Sequence, residues 1–370
     1  MNLVNNLLTL SEIFPYFTRG SNIKNKSSII MAVLFGKKFN IEFKNKISYS
    51  IPISDHVLSL SLLQVERYAQ IFKIKNNKVE ISFDNENKFY ISLTNLTQED
   101  RRLIPLLAFG ISDGAVFLDN DHDTRIKNDN VLKIIQDKKS IIITSEGIKF
   151  FLDSIGPDSF IETFVRRIHD NYSRELQNKI VIDVGASIGD TPLYFASKGA
   201  TVYAFEMTKR NYDQMLKNLE LNPILSEKIT PVNAAVGKDG MLEYSENISQ
   251  DNYEGGASFI VNKYGNNSVK RDVPGMTIKT ILEKFGISKV GLLKLDCKGC
   301  EHHIQKDELK MVDRVKIEYY SYLQSHKLDV LVKLLKESNF EVFLFKHNPK
   351  DIGSIQNRGN ILADKLDVNI

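Results

Sequence analysis

Lys179-Ile-Val-Ile-Asp-Val-Gly-Ala-Ser-Ile-Gly189 decides the fold. Ile180, Val181 and Ile182, then the acid Asp183 and Val184, run as a strand straight into a turn with two glycines and then a helix. Such a strand, turn and helix is the opening unit of a parallel α/β sheet, whose ligands sit beyond the carboxyl ends of the strands. Gly185 permits a positive-φ turn, and Gly189 lets a ligand approach the start of the helix. Asp183 ends the strand, placed to accept hydrogen bonds or to attract a cation. The interval between the glycines departs from the G-x-G-x-x-G of dinucleotide sites, which disfavours an NAD-linked oxidoreductase.

Working outward, strand-like and helix-like segments alternate. Ile180–Val184, Thr201–Phe205, Ile229–Ala234, Gly291–Asp296, Val312–Glu318, Phe340–Phe345 and Asn360–Asp364 read as strands. Thr191–Lys198, Lys209–Asn222, Thr277–Phe285 and His326–Ser338 read as helices. This alternation predicts a doubly wound, mostly parallel sheet. Its second strand ends at Glu206, 17 positions beyond Gly189, where a carboxylate can take two ribose hydroxyls. The third strand ends near Asn233. Three such strand ends in succession point to a nucleoside.

The run from Val181 to Gly240, with Leu292-Leu-Lys-Leu-Asp-Cys-Lys-Gly-Cys-Glu301, resembles the FkbM-type methyltransferases. That family carries an Asp-x-Gly-Ala-Asn-x-Gly turn, an acidic end to the next strand and a later Lys-Ile-Asp-Val-Glu-Gly-Ala-Glu block. The resemblance implies a class I methyltransferase (Rossmann-like) sheet of seven strands, the last antiparallel, with S-adenosyl-L-methionine as cofactor. It also implies that Asp183, Gly185, Gly189, Glu206 and Asn233 contact the cofactor. Ser187 stands where the family usually has Asn and can still donate and accept a hydrogen bond, so it joins them. Lys298 stands where the family usually has Glu, a reversal of charge.

Methyl transfer needs an acceptor atom held about 3 Å from the methyl group, in line with sulfur and away from water. A base beside the acceptor helps remove its proton. Gly291–Asp296 delivers Lys294, Asp296 and then Glu301 to the sheet's carboxyl end. Asp296 is the best candidate for contacting the acceptor or serving as base. Glu301 either holds the acceptor or caps exposed backbone N–H groups. His302 is a candidate base, although only one of His302 and His303 can face the site. Lys294 is a candidate substrate ligand, with an ion pair to Asp296 as the plainer alternative. Glu318 closes its strand before two tyrosines, where the resemblance suggests an acid lining the acceptor pocket. Asp251, in the polar loop 249–258, reaches a substrate hydroxyl or merely sits in a solvated turn. Asp296, Glu301 and His302 would together suit magnesium or manganese, but no metal is expected. Cys297-x-x-Cys300 invites a redox or zinc reading. There is no second ligand pair for zinc, a thioredoxin-type pair would open a helix after the first strand of a different fold, and the family has small apolar residues there, so buried free thiols are expected.

Residues 1–140 read as a β-rich domain of unknown role and 141–370 as the methyltransferase domain. A chain of 370 residues suits roughly two domains. In the first, Ile29–Phe35, Val79–Phe83 and Lys88–Leu93 look like strands, with turns at Asn76-Asn77 and Asp84–Asn87. With 49 basic against 46 acidic residues the net charge is +3, which argues against a main role in holding a polyanion. RNA as substrate, tRNA included, is therefore the weaker alternative, since the basic residues form no stripe. A nucleoside-binding scaffold without catalysis is weaker still, because Asp183, Glu206, Asp296 and Glu301 occur together. Two cysteines supply no disulfide framework, which suggests a reducing interior. The apolar run Ser28–Gly36 is about half of what crosses a bilayer, and no signal peptide is evident, so a cytoplasmic location is expected. The expected acceptor is a hydroxylated small molecule or glycan, methylated on oxygen. Oligomeric state is not readable from the sequence.

Overall fold

In a computed structural model the chain divides into two compact units, residues 1–145 with 151–166, and 146–150 with 167–370. The structure describes residues 141–165, 167–170, 172, 175–247, 268–321, 327–346 and 355–366, together with short runs between 23 and 135.

In the second unit, β1 (Ile180–Val184), β2 (Thr201–Glu206), β3 (Ile229–Asn233), β4 (Leu292–Leu295), β5 (Arg314–Tyr320), β6 (Phe340–Phe345) and β7 (Arg358–Lys365) form one sheet. Its order is β3-β2-β1-β4-β5-β7-β6. The first five neighbours in this order run parallel, and β7 is inserted antiparallel between β5 and β6. The order reverses on either side of β1, which is where the glycine turn lies. Every strand read from the sequence in this unit is present, with ends displaced by one or two residues, as frayed boundaries allow.

The two faces of the sheet differ in character. Ile182, Val184, Leu293, Leu295, Val315 and Ile317 lie on one, and form a single apolar core with Ile278 and Ile281 of α3 (Ile278–Phe285) and Leu328, Leu331 and Leu335 of α4 (Leu328–Glu337). Each such side chain contributes on the order of 1.5–3 kcal/mol by leaving water. The buried residues lie three positions apart in α3 and recur at three and four positions in α4, the spacing that keeps them on one stripe. α3 is closed by Thr277, whose hydroxyl accepts from the Thr280 N–H, and by Gly286 at φ +64°. The other face, covered by α1 (Asp190–Ser197) and α2 (Lys209–Glu220), carries charges. Strand register sets Asp183, Lys294 and Lys316 side by side across β1, β4 and β5, all buried.

The first unit contains an antiparallel meander, Ile71–Lys75, Lys78–Ser82 and Lys88–Ser92, with Val79, Ile81 and Ile91 fully buried. This matches two of the strands read there; the turns at Asn76-Asn77 and Asp84–Asn87 lie outside the described residues. Ile29–Phe35 is corrected: Lys26–Leu34 is an α-helix. Its β-branched residues suggested a strand, but Ile29 and Val33 are the buried pair, four positions apart on one helical face. Among the described residues no helix is long and apolar enough to cross a membrane.

Candidate active site

β1 turns into α1 through Gly185, Ser187 and Gly189, all at positive φ. The Phe205 carbonyl accepts from the N–H groups of both Gly185 and Ala186, which ties the turn to β2. Gly185 is required for a reason internal to the protein. A Cβ there would lie 2.0 Å from the Asp296 carbonyl oxygen, so the turn and the end of β4 share a surface only glycine permits. At Gly189 the neighbour of an added Cβ is Met215 of α2 at 3.0 Å, so it is helix packing that occupies this space.

Asp183 is fully buried, and the protein itself uses both of its oxygens. Lys294 Nζ donates to Oδ1 at 2.7 Å, and the Thr191 hydroxyl donates to Oδ2 at 2.5 Å. Lys294 Nζ also reaches the Gly185 carbonyl at 3.3 Å. The lysine read as a substrate ligand is thus clamped beneath the glycine turn, and its sheet-register neighbour Asp183, not Asp296, is its hydrogen-bonded partner. Burial alone would lower the Lys294 pKa, yet Asp183 and then Asp296 hold it above the usual value.

Glu206, at the end of β2, is 6% exposed. Its Oε1 accepts from the N–H and the hydroxyl of Thr208, at 2.9 and 2.7 Å, and its Oε2 from the Ser187 N–H at 2.9 Å. Burial raises its pKa despite those hydrogen bonds. A carboxylate oxygen has two lone pairs, so Oε2 keeps one acceptor position toward the turn. Asn233 Nδ2 donates to the carbonyls of Glu206 and Met207, at 2.9 and 3.1 Å, and so binds the ends of β2 and β3 together. The structure therefore brings Asp183, Gly185, Ser187, Gly189, Glu206 and Asn233 to one carboxyl end of the sheet.

A second cluster follows β4. Asp296 retains 27% side-chain exposure, and its Oδ1 accepts from Lys298 Nζ at 2.8 Å. Lys298 Nζ also reaches Glu318 Oε1 at 3.2 Å and the Tyr320 hydroxyl at 3.3 Å, and lies 4.4 Å from the Tyr320 ring centroid. Tyr320 in turn donates to Glu318 at 2.6 Å. Glu318 is thus the anchor of Lys298, an ordering the sequence does not reveal. Lys298 itself sits at φ +55°, a conformation that costs about 1–3 kcal/mol in a non-glycine residue and persists only when its surroundings hold it. Burial pushes the Asp296 pKa up, but Lys298, Lys294 and Lys316 outweigh it and hold the carboxyl well below the usual range.

Glu301 is wholly buried in the 3₁₀ turn Cys300–His303. Its Oε2 accepts from the Gly299 N–H at 2.8 Å, which is the backbone-capping role weighed from the sequence. Its Oε1 has no hydrogen-bond partner among the described residues, and burial raises its pKa to about 7. His302 has only 5% side-chain exposure, and its Nε2 lies 3.9 Å from Glu301 Oε1, beyond hydrogen-bond length. The expectation of free thiols is corrected: Cys297 and Cys300 form a disulfide, their Cα atoms 5.5 Å apart and so within bridging range. Asp251 lies outside the described residues.

Sequence reasoning missed Thr191, Thr208, Lys316 and Tyr320, which lie in these clusters. Only the alternation of residues along β5 hinted that Lys316 and Glu318 share a face with Lys294.

Among solved structures, the chain is similar to a precorrin-6y C5,15-methyltransferase of Geobacter metallireducens at 12% identity, covering 55% of this chain and 87% of that one, TM-score 0.32. It is also similar to the magnesium protoporphyrin IX methyltransferase of Synechocystis, solved with SAM, at 12% identity, covering 56% and 78%, TM-score 0.30. A third is the fibrillarin of Aeropyrum pernix, solved with S-adenosyl-L-methionine, at 12% identity, covering 50% and 66%, TM-score 0.31. No curated protein matches the chain. Residues 183–342, which span both clusters, match the model of the methyltransferase FkbM domain.

Proposed function

We propose that the chain transfers a methyl group from S-adenosylmethionine to a hydroxyl oxygen of a small molecule or glycan. The observation that carries this reading is Glu206, a buried carboxylate anchored to the backbone of the glycine turn with one acceptor position left on Oε2. A ribose hydroxyl satisfies that position. The residues present fit the cofactor: an acceptor at the end of β2, a turn whose backbone is held open by positive φ, and Asn233 beside them. When bound, S-adenosylmethionine supplies an electrophilic methyl group on a sulfonium sulfur.

The chain's own residues then have distinct tasks. Asp183, Lys294 and Thr191 fix the turn. Asp296, the exposed member of the second cluster, accepts a hydrogen bond from the acceptor hydroxyl and orients its oxygen. Held ionised by Lys298, Lys294 and Lys316, Asp296 is a weak base and chiefly a director. Glu301, His302 and Glu318, with 0%, 5% and 7% side-chain exposure, are positioning residues that act through the turn 296–303 and through Lys298.

Methyl-labelled S-adenosylmethionine incubated with the chain and a fractionated cell extract tests this. Label should enter a low-molecular-weight or glycan fraction, and Asp296→Ala should abolish the transfer while S-adenosylhomocysteine affinity changes less than about threefold. Label found only in RNA, or full transfer by the variant, contradicts the assignment.

A further inference from the structure

The disulfide joins the residues on either side of the strained Lys298-Gly299 turn, directly between Asp296 and Glu301. Cys297 Sγ lies 3.4 Å from Glu301 Oε2. A disulfide sulfur has no proton to give, whereas a thiol at that distance donates. In the disulfide form the Glu301 carboxylate therefore keeps only backbone N–H donors, Gly299 and its own, with Oε1 unpartnered among the described residues.

We propose that Cys297 and Cys300 are a reversible redox site that takes a dithiol reductant and sets the hydrogen-bond supply of Glu301. Cys297 is partly exposed and Cys300 is buried, so the reductant's thiolate attacks Cys297 Sγ. The S–S bond breaks, Cys300 leaves as a thiolate and takes up a proton. The reductant's second thiol then displaces Cys297 from the mixed disulfide. Two electrons and two protons pass to the protein, and the reductant departs as its disulfide. The new Cys297 S–H donates to Glu301 Oε2 and favours its ionised form.

The groups that face Glu301 are Cys297, Lys298, which favours its charge, Asp296, which opposes it, and His302. α4, which packs on this turn, contributes Leu328, Leu331 and Leu335 to the core that holds Cys300. The cysteine pair is thus the variable member of this set. The functional consequence, a redox-dependent charge beside the acceptor position, rests on the proposed methyl transfer; the site itself does not.

The chain has only two cysteines, so thiol counting reads this pair alone. The test combines maleimide counting with ¹³C-carboxyl NMR titration of Glu301, assigned by the signal lost in Glu301→Gln, before and after dithiothreitol. Air-equilibrated protein should show no reactive thiol and a titration midpoint near 7, and the reduced protein two thiols and a midpoint lower by about one unit. Cys297→Ser keeps a donor and should titrate like the reduced protein with or without dithiothreitol. Cys297→Ala should stay at the high midpoint. Two free thiols before reduction, or one midpoint in both states, overturns the proposal. Neither readout uses cofactor or acceptor, so failure here leaves the methyl-transfer reading to its own test.

Discussion

The two clusters at the carboxyl end of the sheet are built on opposite plans. Beneath the glycine turn, Asp183 and Lys294 are 0% and 3% exposed at the side chain, lie on neighbouring strands, and are fixed by sheet register. After β4, Asp296 and Lys298 keep 27% and 15% exposure and are fixed by a positive-φ turn, a tyrosine and a disulfide. Strands set the first cluster before any ligand arrives. The second is a loop assembly whose geometry depends on groups that titrate or change oxidation state. A methyltransferase needs both: a rigid seat for a cofactor common to many reactions, and an adjustable edge for an acceptor particular to one.

The contrast is broken most forcefully at Asp183. Asp183→Ala leaves Lys294 charged and unpaired in the interior, and should cost on the order of 3–5 kcal/mol in urea unfolding. A cost below about 1 kcal/mol would show that the seat is not held by this pair.

Glu301 comes next. Its native pKa, about 7, is raised above the unfolded value, so its contribution to stability is present below about pH 4.5 and is lost as pH rises through 7. Glu301→Gln does not titrate, and the variant should gain roughly 3 kcal/mol on the wild type between pH 4 and pH 8. Parallel stability profiles for the two proteins would refute the buried, disfavoured charge.

The smallest effect belongs to Lys298. The Asp296 pKa is depressed, so its stabilisation is present above about pH 4 and lost as pH falls through the native value. Lys298→Met should remove on the order of 1 kcal/mol at pH 7, discounted for the partial exposure of the pair, and most of the difference should remain at pH 4, closing only as pH falls on toward the depressed native value. A Lys298→Met protein as stable as the wild type at pH 7 would show that this pair contributes nothing to the fold.

The same contrast explains what could be read in advance. β1, its glycine turn and Glu206 follow from local patterns: an apolar run, a pair of glycines, an acid closing the next strand. The seven strands and two covering layers follow from alternation. Ile29–Phe35 misled because β-branched residues favour strands locally, while tertiary burial selected the i, i+4 pair Ile29 and Val33. The partners Asp183 of Lys294 and Glu318 of Lys298 were not readable, because they lie 111 and 20 positions away in sequence and meet through strand register in the first case and a turn in the second. Nor was the disulfide, since C-x-x-C spacing by itself does not separate a bridge from two free thiols.

The central claim is a nucleoside seat built on Glu206 and the Gly185–Gly189 turn. Isothermal calorimetry with S-adenosylhomocysteine tests it most directly. The account predicts micromolar binding to the native chain and at least a tenfold loss in Glu206→Ala, about 1.4 kcal/mol or more. No binding by the native chain, or equal affinity in the variant, would contradict it.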